Sequence, residues 1–378
     1  MFSLTGGIEE VCKVFSRALF DMGFKLSGFK VFSMCDKSSE RDSRYTSKAD
    51  YIGFNYWRTP FVIKSVIEGI RSNIVVLSHI NLLIVALIIK KLSPQTRIIV
   101  YAHGTEIWRK ISKWKKTFLL NHCEFWAVSN FTSQKIQEFH DINSRQITII
   151  PNCLDPFLII PEDFNKPADL MKRYNLLPEQ PILYTLTRLS SSELYKGYDQ
   201  IIECLPQLIN NFPNMHYLLA GRADKKESAR LKSLIKKLGI SSHITLTGFI
   251  TAEELSDHFL LSDVFIMPSR KEGFGIVFIE AATCGCKIIA GNMDGSAEAL
   301  LNGKLGTLVD PGDKEAILNA IHNHLKKPRS IKDCQTTQNL CLEHFNYKQY
   351  LSKVEKLLTA PALVQQKGLQ KDAPSYAA

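Results

Sequence analysis

Two glutamates, Glu272 and Glu280, flank a Gly-Phe-Gly turn and an apolar run in the stretch SRKEGFGIVFIEAATCG, residues 269–285. Carboxylates beside such a turn could be an acid and base pair, a polar clamp on a ligand, or the solvated side of a helix. If a helix begins after the turn, one carboxylate lies before it and the other about one and a half turns inside it. A glycosidase pair must flank its scissile bond, so this stagger along one wall favours the clamp.

The turn itself has the composition of an anion site. Gly273 and Gly275, on either side of Phe274, allow the backbone to approach a ligand closely. A predicted strand precedes the turn and a predicted helix follows it, and the free N–H groups at a helix start favour phosphate. Glu280 would lie on a mostly buried helix, where a carboxylate needs a partner.

Arg188 and Lys196 bracket a second polar loop, LSSSELYKGYDQ, which follows the predicted strand PILYTLTR. An arginine can bind two phosphate oxygens at once, whereas a lysine acts as a point charge. The pair could neutralise a diphosphate leaving group without a metal, or it could be two surface cations.

Two features of the first half could also belong to a site. His103 follows the predicted strand RIIVYA, and Gly7 is the second glycine of a Gly-Gly turn before a predicted helix. A single histidine at such a position is more often packed than catalytic, and a glycine pair is weak evidence by itself.

The elements that would position these residues can be predicted from the sequence. Short β-rich runs alternate with helical stretches along most of its 378 residues. This alternation predicts parallel sheets covered by helices on both faces. A stretch with five prolines, residues 155–181, interrupts the pattern and is predicted to be an interdomain linker. The predicted fold class is therefore α/β with two Rossmann-like doubly wound domains. Because ligands of such sheets bind at the carboxyl ends of the strands, the site is expected in a central cleft that the domains face.

Composition limits the function further. The chain is 45% hydrophobic and 22% charged, which is typical of a soluble globular protein. Its nine cysteines have no zinc-like spacing and are predicted to be reduced, buried thiols. The apolar run 73–91 is interrupted by Ser78, His79 and Asn81, so a strand, a turn and a helix are predicted instead of a membrane span. No Asp-x-Asp, G-x-G-x-x-G or P-loop motif supports metal-dependent sugar-nucleotide, dinucleotide or NTP chemistry.

The formal charge of +10 and the pI near 9.0 indicate an anionic partner. Nucleic acid is not expected, because no recognised nucleic-acid motif occurs. A diphosphate ligand and an anionic membrane or acidic glycolipid remain as candidates. The densest cationic cluster, WRKISKWKK at residues 108–116, could lie at a bilayer interface or could be a solvated helix face.

With these residues in view, nearly the whole chain resembles the retaining GT-B glycosyltransferases of family 4. The most specific likeness is the E-x7-E motif EGFGIVFIE, and the loop TRLSSSELYKG is similar to the phosphate-binding segment of that family. The segments AHGTEIW, AVSNFT, IIPNCLD, TLTGFI and GNMDGSAEALLNGKLGTLVDPGD are also similar to that family's sequences.

The resemblance implies a retaining, metal-independent hexosyltransferase that needs no cofactor besides a UDP- or GDP-linked sugar donor. Its acceptor would be a glycan or a lipid-linked molecule, in surface polysaccharide or lipopolysaccharide biosynthesis. The location would be cytoplasmic, with peripheral contact on the inner face of the plasma membrane. The alternative is a degenerate homologue that binds nucleotide or a partner without turnover.

The resemblance also implies a role for each site residue. Glu280 would hold the ribose, Glu272 would contact hydroxyls of the donor sugar, and the backbone of residues 273–275 would cradle phosphate or sugar oxygens. Arg188 and Lys196 would stabilise the departing diphosphate. His103 would lie near the reacting carbon, and Gly7 would lie near the donor phosphates.

The predicted domain boundaries follow from the same comparison. Residues 1–160 would form the acceptor-side domain, 161–345 the nucleotide-sugar domain, 346–360 a helix crossing back to the first domain, and 361–378 a loose tail. Because only MFSLT precedes the glycine pair, we expect either a truncated first strand or a start codon that is placed late.

Overall fold

The computed structural model describes residues 1–360, and these divide into two compact units. The first unit comprises Met1–Asp155 together with the residues from Tyr347 onward, and the second comprises Pro156–Asn346. Both units are α/β with parallel sheets, which confirms the predicted fold class. The predicted tail, 361–378, lies outside the described residues.

The first unit contains six parallel strands in two separate sheets. The strands are β1 (Val31–Ser33), β2 (Tyr51–Gly53), β3 (Ile74–Leu77), β4 (Arg97–Ala102), β5 (Cys123–Ala127) and β6 (Ile147–Ile149). β1 pairs with β2, and the other four form a sheet in sequence order. The sequence predicted one doubly wound sheet here; it is divided because, among the described residues, β1 hydrogen-bonds to β2 and to no other strand.

Helices cover the four-stranded sheet. They are α1 (Gly7–Met22), α2 (Arg58–Ile70), α3 (Leu83–Leu92), α4 (Lys113–His122) and α5 (Asn130–His140). The strands β4 and β5 are buried almost throughout, as expected for central strands of a parallel sheet with helices on its faces. Ile99 and Phe125 are fully buried members of this core.

The apolar run 73–91 forms a strand, a turn and a helix, as predicted. β3 ends at Leu77, a 3-10 turn covers Ile80–Leu82, and α3 follows. The polar interruption has a structural role, because the His79 ring accepts a hydrogen bond from the Asn81 N–H at 3.0 Å. Within residues 1–360 no helix has the length and apolar content that crossing a bilayer requires.

The second unit holds one sheet of six parallel strands. They are β7 (Ile182–Leu186), β8 (His216–Ala220), β9 (Ile244–Gly248), β10 (Val264–Met267), β11 (Lys287–Gly291) and β12 (Thr307–Val309). Their spatial order is β12-β11-β10-β7-β8-β9. The chain therefore builds outward from β7 in one direction and then returns to build outward from β10 in the other. A ligand of a doubly wound sheet binds at such a reversal, outside the carboxyl ends of the two central strands.

Eight helices of the second unit pack on this sheet or beside it. They are α6 (Ala168–Arg173), α7 (Tyr198–Asn211), α8 (Lys225–Lys237), α9 (Leu255–Leu261), α10 (Ile276–Thr283), α11 (Ser296–Ala299), α12 (Lys314–Leu325) and α13 (Ile331–His344). The apolar faces of α7 and α12 enclose one continuous core with β7, β8 and β10, which includes Leu205, Tyr217 and Ile321. Such a core holds the ends of β7 and β10 rigidly beside each other.

The last described helix, α14 (Tyr347–Thr359), belongs to the first unit although it follows the second in sequence. The Tyr350 hydroxyl lies 3.3 Å from that of Tyr101 in β4. Lys25 pairs with Glu355 at 2.6 Å. The first unit is thus assembled from both ends of the described chain.

The cationic cluster at 108–116 is not one helix face. Trp108 and the residues up to Ser112 precede α4, and the Trp108 ring packs edge-on against Phe131 with 5.3 Å between centroids. Trp114, in the first turn of α4, remains exposed. All nine cysteines are free thiols, and seven of them are buried.

Candidate functional site

The loops that follow β7 and β10, residues 187–197 and 268–275, leave neighbouring strands at the point where the strand order reverses. The backbone N–H of Arg270 donates to the Tyr195 carbonyl at 3.0 Å, which ties the loops together. A side chain at Gly197 could not be accommodated, because a Cβ there would lie 2.4 Å from the Pro268 carbonyl oxygen. The two chemistry-bearing loops of the sequence therefore form one structural feature.

Lys196 and Glu272 are bonded directly across these loops. The lysine Nζ lies 2.5 Å from the glutamate Oε1, and both side chains are largely buried. Burial lowers the pKa of Lys196, but the charge of Glu272 and its hydrogen bond outweigh burial and hold this pKa above its usual range. The lysine is therefore a fixed cation at the sheet edge. An ammonium has three donors, so Lys196 can bind Glu272 and an anionic ligand together.

Asp294, in the loop after β11, positions the backbone of Glu272. Its Oδ2 accepts from the Glu272 N–H at 2.7 Å and from the Ser269 hydroxyl at 3.1 Å. Its Oδ1 accepts from the Ser296 N–H at 2.9 Å. Burial and the nearby charge of Glu272 raise the pKa of Asp294 to about 6. Asp294 belongs to none of the predicted site motifs, although an acidic side chain soon after a predicted strand was a usable signal.

A close glycine contact also joins the loop after β10 to the loop after β11. A Cβ on Gly295 would lie 2.2 Å from the Gly273 carbonyl oxygen, so any side chain there would displace the turn. The Gly295 N–H also donates to the Glu272 carbonyl at 2.9 Å. The turn is thus held by backbone contacts and by Asp294 before any ligand arrives.

The helix α10 begins immediately after this turn. Gly275 adopts a left-handed conformation with φ 86° as its N-cap, and no side chain caps the helix. The Phe274 ring is buried and packs against Phe345, with 5.7 Å between the ring centroids. A ligand at this helix start would therefore meet backbone and no capping side chain, and the first N–H groups of a helix together with its dipole attract anions.

Glu280 lies in α10 between the buried residues Ile279 and Ala281 and is itself partly exposed. Its charge contributes to the raised pKa values of Tyr184 and Cys284, where burial is the main cause. The second glutamate of the motif is thus on the helix that starts at the turn, as the spacing predicted.

Arg188 lies in the loop after β7 and is exposed, with its guanidinium 3.2 Å from Glu193. Burial raises the pKa of Tyr195, while the charges of Lys196 and Arg188 lower it and those of Glu193 and Glu272 raise it. Tyr195 thus lies in the field of both predicted phosphate-binding cations. The Lys271 ammonium, which was not among the predicted site residues, lies 5.7 Å from the Tyr195 ring centroid.

His103 and Gly7 belong to the first unit. The His103 ring is buried against Tyr101, and burial and the charge of His79 lower the pKa of His103 to about 3, so the imidazole is neutral. Neither ring nitrogen has a hydrogen-bond partner within residues 1–360. Gly7 begins α1 and is exposed, with open space where a Cβ would lie.

The second unit therefore combines a buried, ion-paired lysine, an exposed arginine and an uncapped helix start, all suited to an anion, with two carboxylates suited to hydroxyl groups. Within the described part of the chain, no cluster of three or more His, Cys, Asp or Glu residues is arranged as a metal site. The arrangement can bind a phosphorylated, polyhydroxylated ligand.

Two family models match the chain, one in each half. The model described as Glycosyltransferase Family 4 matches residues 5–156, and the model described as Glycosyl transferases group 1 matches residues 168–339. Together they cover both structural units, and the second includes Arg188, Lys196 and both glutamates of the motif.

A named relative and two solved structures are similar to the chain. The relative is a GDP-mannose-dependent alpha-(1-6)-phosphatidylinositol monomannoside mannosyltransferase of Mycolicibacterium smegmatis, 37% identical over 169 residues, or 43% of each chain. The chain thus matches less than half the length of this relative. HepE of Anabaena, solved with UDP-glucose, has a TM-score of 0.77 at 18% identity and covers 94% of this chain and 96% of its own. WaaG, described as a glycosyltransferase involved in lipopolysaccharide biosynthesis, has a TM-score of 0.64 at 14% identity over 95% and 97%.

Proposed function

Because the chain belongs to the family 4, group 1 glycosyltransferases of the GT-B fold, we propose that it is a retaining hexosyltransferase. It moves a hexose from a nucleoside-diphosphate sugar to a glycan or glycolipid acceptor. The observation that carries this proposal is the Lys196 to Glu272 bond at the strand-order reversal, beside the uncapped start of α10. Cation, carboxylate and free amides meet there at the point where a doubly wound sheet binds its ligand.

The leaving group explains the cations. As the bond between the anomeric carbon and the diphosphate oxygen breaks, positive charge develops on the sugar ring and negative charge on the phosphate. The negative charge on the phosphate is stabilised by Lys196, Arg188 and the amides at the start of α10. Because this charge is larger in the transition state than in the ground state, the stabilisation lowers the barrier. No metal ion takes part in this proposal.

The carboxylates hold the donor. In the proposed complex Glu280 accepts hydrogen bonds from the ribose hydroxyls and Glu272 accepts them from hydroxyls of the sugar. The backbone of residues 273–275 contacts phosphate or sugar oxygens. Asp294 acts indirectly, by keeping the Glu272 backbone in place.

The acceptor oxygen then bonds to the anomeric carbon on the face that the diphosphate leaves, so that configuration is retained. The acceptor's proton passes to the departing phosphate oxygen, which removes the need for a separate general base. His103, neutral and with unpaired ring nitrogens, is proposed to lie near the reacting carbon and to hydrogen-bond the donor sugar. Gly7 is proposed to lie near the donor phosphates, where its bare backbone permits close approach.

The names of the relatives narrow the choice of donor and acceptor. The Mycolicibacterium smegmatis relative is named for GDP-mannose and a phosphatidylinositol mannoside, and the Anabaena structure contains UDP-glucose. We therefore propose a UDP- or GDP-linked hexose and a glycan or lipid-linked acceptor of surface polysaccharide or lipopolysaccharide biosynthesis. The enzyme would act in the cytoplasm, peripherally on the inner face of the plasma membrane, with no nucleic-acid partner.

The experiment is an acceptor-dependent assay with the full chain. The protein is incubated with UDP- or GDP-sugars, chosen by thermal shift because a ligand of the folded state raises apparent stability, and with candidate acceptors. Free nucleoside diphosphate is then measured. Release that requires acceptor supports transfer, and the anomeric configuration of the isolated product tests retention. Nucleotide binding with no turnover on any acceptor would instead support a degenerate homologue, and release independent of acceptor would contradict transfer.

A further inference from the structure

A fully buried carboxylate, Glu227, lies in the first turn of α8 and has no part in the proposed chemistry. Its Oε2 accepts a hydrogen bond from Arg230 Nε at 2.8 Å, and its Oε1 accepts one from Arg230 Nη2 at 2.6 Å. These hydrogen bonds lower the pKa of Glu227 although burial raises it, so the carboxylate is ionised. Apolar side chains of similar volume often stabilise a fold as well as a buried ion pair does, so stability alone does not explain this pair.

The ion pair binds the first two residues of α7. The hydroxyl of Tyr198, a fully buried side chain, donates to Glu227 Oε1 at 2.7 Å. Arg230 Nη2, which binds Glu227, also donates to Asp199 Oδ1 at 2.7 Å. Because Tyr198 follows Lys196 by two positions, the carboxyl end of the loop after β7 is fastened to α8.

The other end of the same loop is fastened to the same helix start. The Tyr198 hydroxyl also lies 3.3 Å from the Ser190 carbonyl oxygen. Asp224, the N-cap residue of α8, accepts a hydrogen bond from the Ser190 hydroxyl at 3.1 Å. The backbone N–H of Asp224 donates to the Leu189 carbonyl at 3.2 Å. Both ends of the loop that carries the two predicted phosphate-binding cations therefore converge on the start of α8.

We call the residues that join α7 to α8 in this way the α8 clamp: Tyr198, Asp199, Glu227 and Arg230. We propose that the α8 clamp is a set of positioning residues for the donor diphosphate, which hold the loop after β7 so that Lys196 meets both Glu272 and the terminal phosphate. Charge-assisted hydrogen bonds are strong and directional, and a loop that is already held does not have to be ordered when the donor binds. This inference rests on the proposed function for one point, the place of the diphosphate at Lys196.

The test compares the affinities of the full chain for nucleoside diphosphates and monophosphates, measured by isothermal titration with UDP and UMP and with GDP and GMP. The two ligands of each pair differ by the terminal phosphate, so the ratio of their dissociation constants reports the contact with Lys196 and Arg188. A variant that only reduces the binding-competent fraction of the protein weakens both ligands equally and leaves the ratio unchanged. A purely structural role of the clamp would therefore not change the ratio.

Two variants weaken the α8 clamp with little change to the core. Tyr198→Phe removes only a hydroxyl, and Arg230→Gln replaces a side chain that is 33% exposed. We expect each variant to lower the preference for the diphosphate over the monophosphate at least about fivefold, because Lys196 is no longer held in place. Circular dichroism and the thermal midpoint confirm that both variants are folded.

The matched controls remove the same kinds of bond elsewhere in the second unit. Tyr174→Phe removes a hydroxyl that lies 2.9 Å from the ring of His258 in α9, and Arg173→Gln removes a guanidinium that is paired with Glu254. Both controls should keep the wild-type ratio. An unchanged ratio in either clamp variant, or an equal fall in the controls, would overturn the proposal.

Failure of this inference is distinguishable from failure of the proposed function. Acceptor-dependent release of nucleoside diphosphate, together with an unchanged ratio in the clamp variants, contradicts the positioning role alone. A ratio that falls in the clamp variants, without turnover on any acceptor, supports the positioning role and contradicts the transferase proposal alone.

Discussion

Lys196 and Glu272 form an ion pair between residues that are 76 positions apart in sequence, and the pair joins the ends of the two central strands of the second sheet. The pair is largely buried, so removal of either partner leaves the other charge without compensation. Activity and stability must therefore be measured together for any variant of this pair.

Lys196→Ala should lower turnover by well over tenfold, because the departing diphosphate loses a fixed cation. Glu272→Ala should lower it to a similar degree through lost contacts with the donor sugar. Initial rates of acceptor-dependent nucleoside diphosphate release provide the measurement. Lys314→Ala is the matched control, since it breaks an exposed ion pair with Glu203 in the same unit. Wild-type rates in either site variant would contradict the assigned roles.

Arg188→Ala should weaken binding of the nucleoside diphosphate about tenfold while leaving the thermal midpoint nearly unchanged. The reason is that the Arg188 side chain is exposed, and an exposed ion pair contributes little to stability. Isothermal titration with UDP and GDP measures the affinity. Arg173→Ala, which breaks the exposed Arg173 to Glu254 pair, is the control, and equal affinities of the two variants would place Arg188 outside the site.

Gly295→Ala should reduce donor affinity at least about tenfold, because the new methyl group would displace the Gly273 carbonyl and with it the turn before α10. The backbone of Gly295 has φ −64°, which alanine adopts readily, so any effect comes from this contact. Gly239→Ala is a suitable comparison. It strains a residue with φ +68° in open space, and should cost stability without affecting donor binding. Unchanged affinity in Gly295→Ala would show that the turn does not contact the donor.

Asp294→Asn should change how stability depends on pH. The pKa of Asp294 in the folded protein is about 6, above its ordinary value of 3.8. The protonated carboxyl therefore contributes fully to the stability of the fold below about pH 4, and this contribution is lost as the pH rises through about 6. The free energy of unfolding of the wild type, relative to Asp294→Asn, should therefore fall by about 2 kcal/mol between about pH 4 and pH 7. Denaturant unfolding at a series of pH values measures this difference. A constant difference across that range would contradict the proposed ionisation.

Strands were predictable wherever short β-branched runs are bounded by polar or turn residues. The runs IVVL and RIIVYA coincide with β3 and β4, and the run KIIAG coincides with β11. Helix α13 was not predicted, because its sequence is largely polar and carries few periodic apolar residues. The division of the first sheet was also missed, since a sequence does not state which strand is the hydrogen-bond partner of another.

The sequence predicted which residues form the candidate site, but it did not predict the contacts between the loops that carry them. Alternating elements place Lys196 and Glu272 after strands of one sheet, and the carboxyl ends of parallel strands share an edge. The sequence does not give the spatial order of strands, so it could not show that β7 and β10 are neighbours. Asp294 was missed for the same reason, because its role depends on the contact between the loops after β10 and β11.

The return of α14 to the first unit has a consequence for synthesis of the chain. The Tyr101 hydroxyl meets Tyr350 only after the whole second unit has been translated, since Tyr350 follows it in sequence. The second unit, formed from a single continuous segment, can complete its fold on the ribosome, whereas the first must wait for the end of translation. A nascent chain that stalls before Tyr347 would thus hold a finished second unit together with an unfinished first unit, and chaperones would be expected to bind the unfinished one.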